Sequence, residues 1–135
     1  MIAGIIVPIL ALTALLQEPN SLKVLSSLAT ALSEGNPVAA MTAFDRNMPG
    51  YETLSANIYA LTNQADLTCV IDPIEKNGEE IDADWFLMIR SKEENGPTER
   101  RQVKVKITLI QTPKGWKIKT LTPVTVLELP TLHDK

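Results

Sequence analysis

The chain has very few of the residues that build disulfides and metal centres. Among its 135 residues there is one cysteine, Cys69, and one histidine, His133. A single cysteine excludes an intramolecular disulfide and a cysteine-based metal cluster, and a single histidine excludes a histidine-rich metal site. We therefore expect no metal centre, and nothing in the sequence indicates a cofactor.

An excess of charge of one sign is also missing. The 13 basic and 16 acidic side chains leave a formal net charge of −3, which disfavours a general nucleic-acid binder. The charges are nevertheless segregated, because 100–119 contains basic residues and no acid, while 72–84 is rich in acids. This pattern is typical of solvated strand faces with cross-strand charge pairs, and the alternative is a surface that docks a partner protein.

No apolar run reaches the roughly 20 residues that span a bilayer. The longest one, residues 1–16, carries no charge and matches the apolar region of a secretory signal peptide, with Ala14 placed for cleavage before Gln17. No basic residue follows Met1, so an uncleaved anchor or a buried helix is the alternative. A signal peptide predicts an exported protein, periplasmic or extracellular; otherwise we expect it in the cytoplasm. Membrane contact is expected only through this segment.

Apolar residues at helical spacing predict three helices after residue 20. Gly35 ends the first, Asn36-Pro37 begins a short second one that stops near Asn47, and Pro49-Gly50 introduces the third. Asp45-Arg46, between the second and third helices, braces that corner or contacts a ligand.

From about residue 65 the apolar period becomes two, which predicts four strands in an antiparallel meander. The clearest strand alternates inward aliphatic residues from Val103 to Leu109 with Lys104, Lys106 and Thr108. Matching these faces pairs Trp85 with Ile107 across the second hairpin. Across the last hairpin the same matching pairs Leu109 with Ile118 and Ile107 with Thr120.

Three short stretches carry a resemblance to a known family: LSEGN at 32–36, Asp84-Trp85-Phe86 on a central strand, and Gly115-Trp116-Lys117-Ile118 at the start of the last. With three helices before a meander, the chain resembles the nuclear transport factor 2-like superfamily, the cystatin-like cone, over residues 20–129. The resemblance implies an α+β fold in which three N-terminal helices pack in the concave face of a curved, four-stranded antiparallel sheet. Residues 130–135 are expected to be a loose tail.

That superfamily includes ketosteroid isomerases, dehydratases, polyketide cyclases and many non-catalytic domains, so the fold does not select a function. It also implies a pocket at the open end of the cone and frequent dimerisation through the sheet. A small apolar ligand there would contact residues expected on the inner face: Tyr51, Trp85, Arg101 and Trp116. The alternatives are that the aromatic residues are core and that Arg101 pairs with an acid such as Glu99.

Catalysis has one weak candidate, Asp84, because a buried carboxylate can act as a base. The predicted facing places Asp84 outward, and only a bulge would turn it inward. We therefore predict no catalytic residue. Cys69 is expected to be a small buried residue.

Four apolar residues fall on the face otherwise expected to meet solvent: Phe86, Met88, Ile110 and Leu121. A contiguous apolar patch often marks an interface, so the pattern predicts a homodimer through the convex sheet. The leading function is a non-catalytic domain that binds a small ligand or a partner. The alternative is an isomerase, dehydratase or cyclase-like enzyme acting on a small hydrophobic substrate through Asp84 or Tyr51.

Overall fold

The computed structural model describes residues 20–130. Its helices and strands are α1 (Asn20–Ser33), α2 (Pro37–Met41), α3 (Tyr51–Gln64), β1 (Ala65–Asn77), β2 (Glu80–Ser91), β3 (Thr98–Thr112) and β4 (Gly115–Thr122), followed by a 3-10 turn at Val124–Leu127. The predicted leader at 1–16 and the tail with His133 lie outside the described residues, and export stays a prediction. Among residues 20–130, none of the helices combines the length and the hydropathy of a membrane span.

The helix boundaries follow from local chemistry. Gly35 adopts a positive φ of 70° after α1, a conformation that glycine reaches without a Cβ clash. The Asn36 side chain then accepts a hydrogen bond from the Ala39 N–H at 3.1 Å, and Pro37 occupies the first turn of α2. These signals were correctly identified in the sequence.

The end of α2 differs from the prediction, because the helix stops at Met41 rather than near Asn47. The following residues run beside β4 instead. The Ile118 N–H donates to the Ala43 carbonyl at 2.7 Å, and the Asp45 N–H donates to the Ile118 carbonyl at 2.9 Å. This pairing satisfies the free edge of β4, so strand-type hydrogen bonds replace further helical turns.

The four strands form one antiparallel sheet in the order β1-β2-β3-β4, and the predicted fold class is confirmed. The inner face is buried against the helices along β2, from Ile81 to Ile89, and along β3, from Val105 to Leu109. Lys104 and Lys106 are exposed, as their positions in the alternation predict. At the free edge of β1 the Cys69 N–H donates to Ser33 Oγ at 2.9 Å, which ties α1 to the sheet.

The predicted pairing of β2 with β3 was wrong by four residues. Trp85 lies opposite Val103, and Ile107 lies opposite Ile81 rather than opposite Trp85. The physical reason is that the ladder continues to a shorter turn, where the Ser91 N–H donates to the Pro97 carbonyl at 3.1 Å. An even shift keeps every side chain on its predicted face.

The last hairpin contains a bulge, which the regular alternation of the sequence did not predict. Leu109 pairs with Ile118 as predicted, but Ile107 pairs with Leu121 rather than Thr120, because the register shifts between Thr108 and Leu109. An extra residue in one strand reverses the facing beyond it. Leu121 therefore points inward and is only 3% exposed.

Candidate functional site

The interior of the fold is packed with apolar side chains. Its largest fully buried residues are Trp85, Phe44, Leu25, Leu28, Leu32, Ile58, Leu61, Ile81, Leu87, Ile107, Leu109 and Ile118. Within 20–130 the buried polar residues are Ser21 and Thr62, and no carboxylate, lysine, arginine or histidine is buried. The interior therefore offers no group able to act as a general base near neutral pH.

Cys69 is the one buried titratable group of the described chain, and burial makes its thiol unreactive at neutral pH. Burial raises the pKa of the Cys69 thiol from its ordinary value of 9.0 to about 12, against a smaller lowering by a hydrogen bond with Trp85. At neutral pH the thiol stays protonated. Because the thiolate is the nucleophile and the metal ligand, Cys69 serves as a core residue.

Of the two tryptophans predicted to line a pocket, the structure places Trp85 in the core and Trp116 against it. Trp85 has no exposed surface, and Trp116 is half-buried against the hydrophobic cluster. Trp85 Nε1 has no well-formed hydrogen bond within residues 20–130, and the Cys69 thiol is the side chain that interacts with it. Neither indole lines either of the two grooves described below.

Arg101 on β3 is hydrogen-bonded to the 3-10 turn that follows β4. Its Nε donates to Glu99 Oε2 at 2.7 Å, and its Nη1 donates to the Val126 carbonyl at 2.7 Å. The side chain is 12% exposed, and these contacts hold its guanidinium against the 3-10 turn that follows β4. The sequence predicted pairing with Glu99 as the alternative to a ligand role, and that pair is present.

The outer face of the sheet carries the segregated charges. Asp84 is half-buried between Asp72 on β1 and Lys104 on β3, so the weak candidate base does not enter the interior. Lys106 Nζ lies 3.5 Å from Asp82 Oδ1 and 3.8 Å from Glu80 Oε1. Exposed pairs of this kind contribute at most about 1 kcal/mol each, and they are the predicted cross-strand pairs.

The four apolar residues expected to form one outer patch do not lie together. Leu121 is buried, because of the bulge in the last hairpin. Phe86 pairs with Gln102, which places Ile110 eight residues further along β3, about 26 Å away at about 3.3 Å per residue. Phe86 and Met88 remain on the outer face, where Val70 of β1 is paired with Phe86 and is 52% exposed.

The larger of two grooves described here, called the first groove, lies between the α2–α3 corner and the β3–β4 turn. Its volume is about 780 Å³. Its apolar and aromatic lining residues are Val38, Met41, Phe44, Tyr51, Tyr59, Ile110 and Pro113. Its charged lining residues are Asp45, Arg46, Lys114 and Lys117. Of the residues predicted to form a pocket, only Tyr51 lines it.

Hydrogen bonds fix both walls of the first groove. Lys117 Nζ donates to the Thr42 carbonyl at 2.5 Å, which joins β4 to the end of α2. The Lys114 N–H donates to Thr112 Oγ1 at 3.1 Å inside the β3–β4 turn. Asp45 Oδ1 accepts from the Asn47 N–H at 3.3 Å. The groove is therefore formed by anchored backbone, with Arg46 and Lys114 at its rim.

A second groove of about 580 Å³ lies near the end of α3. Its apolar lining comes from Leu61, Ala65, Ile89 and Leu129, and Glu99 also contributes. Leu129 and Pro130 border this groove, and the chain beyond residue 130 lies outside the described structure. The first groove is consequently the better-defined candidate site.

No protein-family model matches the chain, and no curated protein does. Solved structures do match. A candidate aromatic ring hydroxylase from Novosphingobium aromaticivorans superposes with a TM-score of 0.62 at 14% identity, covering 78% of this chain and 89% of that one. A protein with a ketosteroid isomerase-like fold from Catenulispora acidiphila, solved in complex with trimethylamine, gives 0.52 at 16% identity, covering 73% and 81%.

A third structure is a nuclear transport factor 2-like protein of unknown function from Cytophaga hutchinsonii. It gives a TM-score of 0.51 at 14% identity and covers 78% of this chain and 89% of that one. These likenesses show that residues 20–130 have the nuclear transport factor 2-like fold, which the sequence resemblance predicted. Since one fold hosts many chemistries, the likenesses show the fold alone.

Proposed function

We propose that this nuclear transport factor 2-like domain is a non-catalytic binding protein that holds a small molecule with substantial apolar surface in the first groove. The observation that carries the proposal is the contrast between a filled interior and an open groove of about 780 Å³. That volume falls within the roughly 300–1,000 Å³ typical of small-molecule sites. Seven of the groove's fifteen lining residues are aromatic or aliphatic, and they supply the apolar surface that such a ligand would contact.

The absence of a catalytic group among the described groove residues supports binding without chemistry. Asp45 is the one carboxylate that lines the first groove, and its Oδ1 already accepts the Asn47 N–H. Asp84, the candidate base of the enzyme alternative, lies on the other side of the sheet from the core, beside Lys104. Tyr51 is then the member of that alternative that lines the first groove.

Filling the groove is expected to abolish binding without unfolding the protein. Val38 is 63% exposed and lines the first groove, so Val38→Trp places an indole in it at little cost to packing. We expect the neutral apolar fluorophore N-phenyl-1-naphthylamine to bind the wild type and to bind Val38→Trp at least about tenfold more weakly, a loss typical of a blocked apolar pocket. Fluorescence titration measures both affinities.

Val124→Trp is the matched control, because Val124 is also exposed and lines neither groove. Thermal unfolding of all three proteins shows whether each is folded. The proposal fails if the wild type does not bind the fluorophore, or if Val38→Trp and Val124→Trp bind it equally well.

We also propose that two copies associate through the outer face of the sheet around Val70, Phe86 and Met88. Charge complementarity supports a second copy as the occupant: acids concentrate on β1 and β2, as at Asp72, and lysines on β3, as at Lys104. A two-fold axis through this face would set the acidic half of one sheet against the basic half of the other. The three apolar residues would lie near the centre.

A charge at Phe86 is expected to prevent that association. Phe86→Asp would bury a carboxylate in an apolar contact, so we expect a dimer for the wild type and a monomer for the variant in sedimentation equilibrium from micromolar to millimolar concentration. Val124→Asp adds the same charge outside the patch and should leave the dimer intact. A wild type that stays monomeric throughout, with no change in Phe86→Asp, contradicts the proposal.

A further inference from the structure

We infer that the first groove selects small amphipathic anions, namely molecules with a planar apolar body and one carboxylate or sulfonate group. The inference rests on the proposed function and adds the charge and shape of the ligand. Two features of the groove carry it: a net positive rim with cations left free for a ligand, and aromatic faces beneath that rim.

The charges on the groove do not cancel. Three cations, Arg46, Lys114 and Lys117, lie on it with one carboxylate, Asp45. Asp45 accepts a backbone N–H, and Lys117 donates to the Thr42 carbonyl. Arg46 and Lys114 are exposed, and neither has an acidic partner within 4.0 Å among residues 20–130. A ligand anion would therefore meet two uncommitted cations.

These cations belong to opposite walls of the groove. Arg46 follows α2, and Lys114 lies in the turn between β3 and β4. The Phe44–Ile118 bridge and the Lys117–Thr42 hydrogen bond hold those walls together. An anionic group between them could accept from both, and a guanidinium fork matches the two oxygens of a carboxylate.

The apolar part of the groove favours a flat ligand body. Tyr51 is a half-buried ring of the lining, and Tyr59 is 45% exposed on α3, whereas Phe44 lies buried. Exposed aromatic faces stack well on planar groups. A polar, multiply charged metabolite would make few contacts with this apolar surface. A neutral apolar molecule would leave Arg46 and Lys114 without an anionic partner.

Two fluorophores that differ by a single sulfonate test the inference. 8-Anilinonaphthalene-1-sulfonate is the anionic counterpart of N-phenyl-1-naphthylamine. We expect the wild type to bind the anionic probe about tenfold more tightly, an advantage limited by solvent screening, and the advantage to shrink as salt is added. The double variant Arg46→Gln/Lys114→Gln should lose this advantage while its affinity for the neutral probe stays within about twofold, since only charge is removed.

The control is Lys23→Gln/Lys119→Gln, which removes the same charge at exposed positions that do not line the groove. Equal affinity of the wild type for both probes overturns the inference, as does an equal loss of the advantage in the control. Those results leave the groove a neutral apolar site, as proposed above. Failure of the neutral probe to bind the wild type instead refutes the proposed function itself. Benzoate should also displace the bound anionic probe more effectively than benzamide does.

Discussion

Aspartate in place of Leu121 is expected to unfold the protein, whereas aspartate in place of the neighbouring Thr120 leaves it folded. Leu121 is 3% exposed and lies opposite Ile107 in the core. Burying a carboxylate there without a partner costs more than about 4 kcal/mol, a large part of the roughly 5–15 kcal/mol that stabilises a domain. Thr120 lies opposite Thr108 on the outer face, and we expect its change to cost less than about 1 kcal/mol.

Urea unfolding followed by circular dichroism measures both variants. Leu121→Met is the matched control, because a volume-conserving apolar exchange costs less than about 1.5 kcal/mol. If Thr120→Asp unfolds the protein and Leu121→Asp does not, the last strand continues without its bulge. Leu121 would then belong to the outer face, as the uninterrupted alternation of the sequence predicted.

Local chemistry explains the parts of the fold that the sequence predicts well. Asn36-Pro37 begins α2 because an Asn side chain caps a helix and proline fits its first turn. Val105 and Ile107 face the core, while Lys104 and Lys106 face water, because successive strand residues point to opposite sides. None of these inferences requires knowledge of which residues are neighbours at long range.

The predictions that were wrong concern features set by pairing between distant residues, namely strand register and the bulge. The four-residue slip between Trp85 and Ile107 keeps the alternation intact, so side-chain pattern alone cannot detect it. The bulge did leave a signal: Ile118 and Leu121 are both apolar and three positions apart, an odd spacing that a regular strand cannot turn to one face. That spacing indicates that Leu121 faces the core, and it therefore argues against a place for Leu121 in the predicted interface.

The candidate site was the least predictable feature. Arg46 and Lys114 are far apart in sequence, and they face one groove only because residues 43–45 run beside Ile118 of β4. The residues that looked most like a pocket were aromatic, and Trp85 is instead the largest fully buried side chain of the core. Aromatic residues on an inner face bury much apolar area, so their presence indicates a core as readily as a binding site.

Alkaline pH is expected to destabilise the fold through Cys69. The pKa of its thiol is about 12 in the folded protein against an ordinary 9.0, chiefly because of burial. A raised folded-state pKa means that the stabilisation is fully present below pH 9.0 and is lost as the pH rises towards 12, since the unfolded chain releases the proton first. The free energy of unfolding should fall by about 1.4 kcal/mol per pH unit in that window.

Cys69→Ala isolates this effect, because the lysines and tyrosines that titrate in the same range are common to both proteins. The difference in unfolding free energy between wild type and variant should decrease by about 2 kcal/mol from about pH 8 to about pH 10.5, following the proton linkage of one group. A difference that stays constant would mean that the thiol ionises as readily in the folded protein as in the unfolded chain. Water would then reach Cys69 beside Trp85, and the inner face of β1 would be more open than its burial requires.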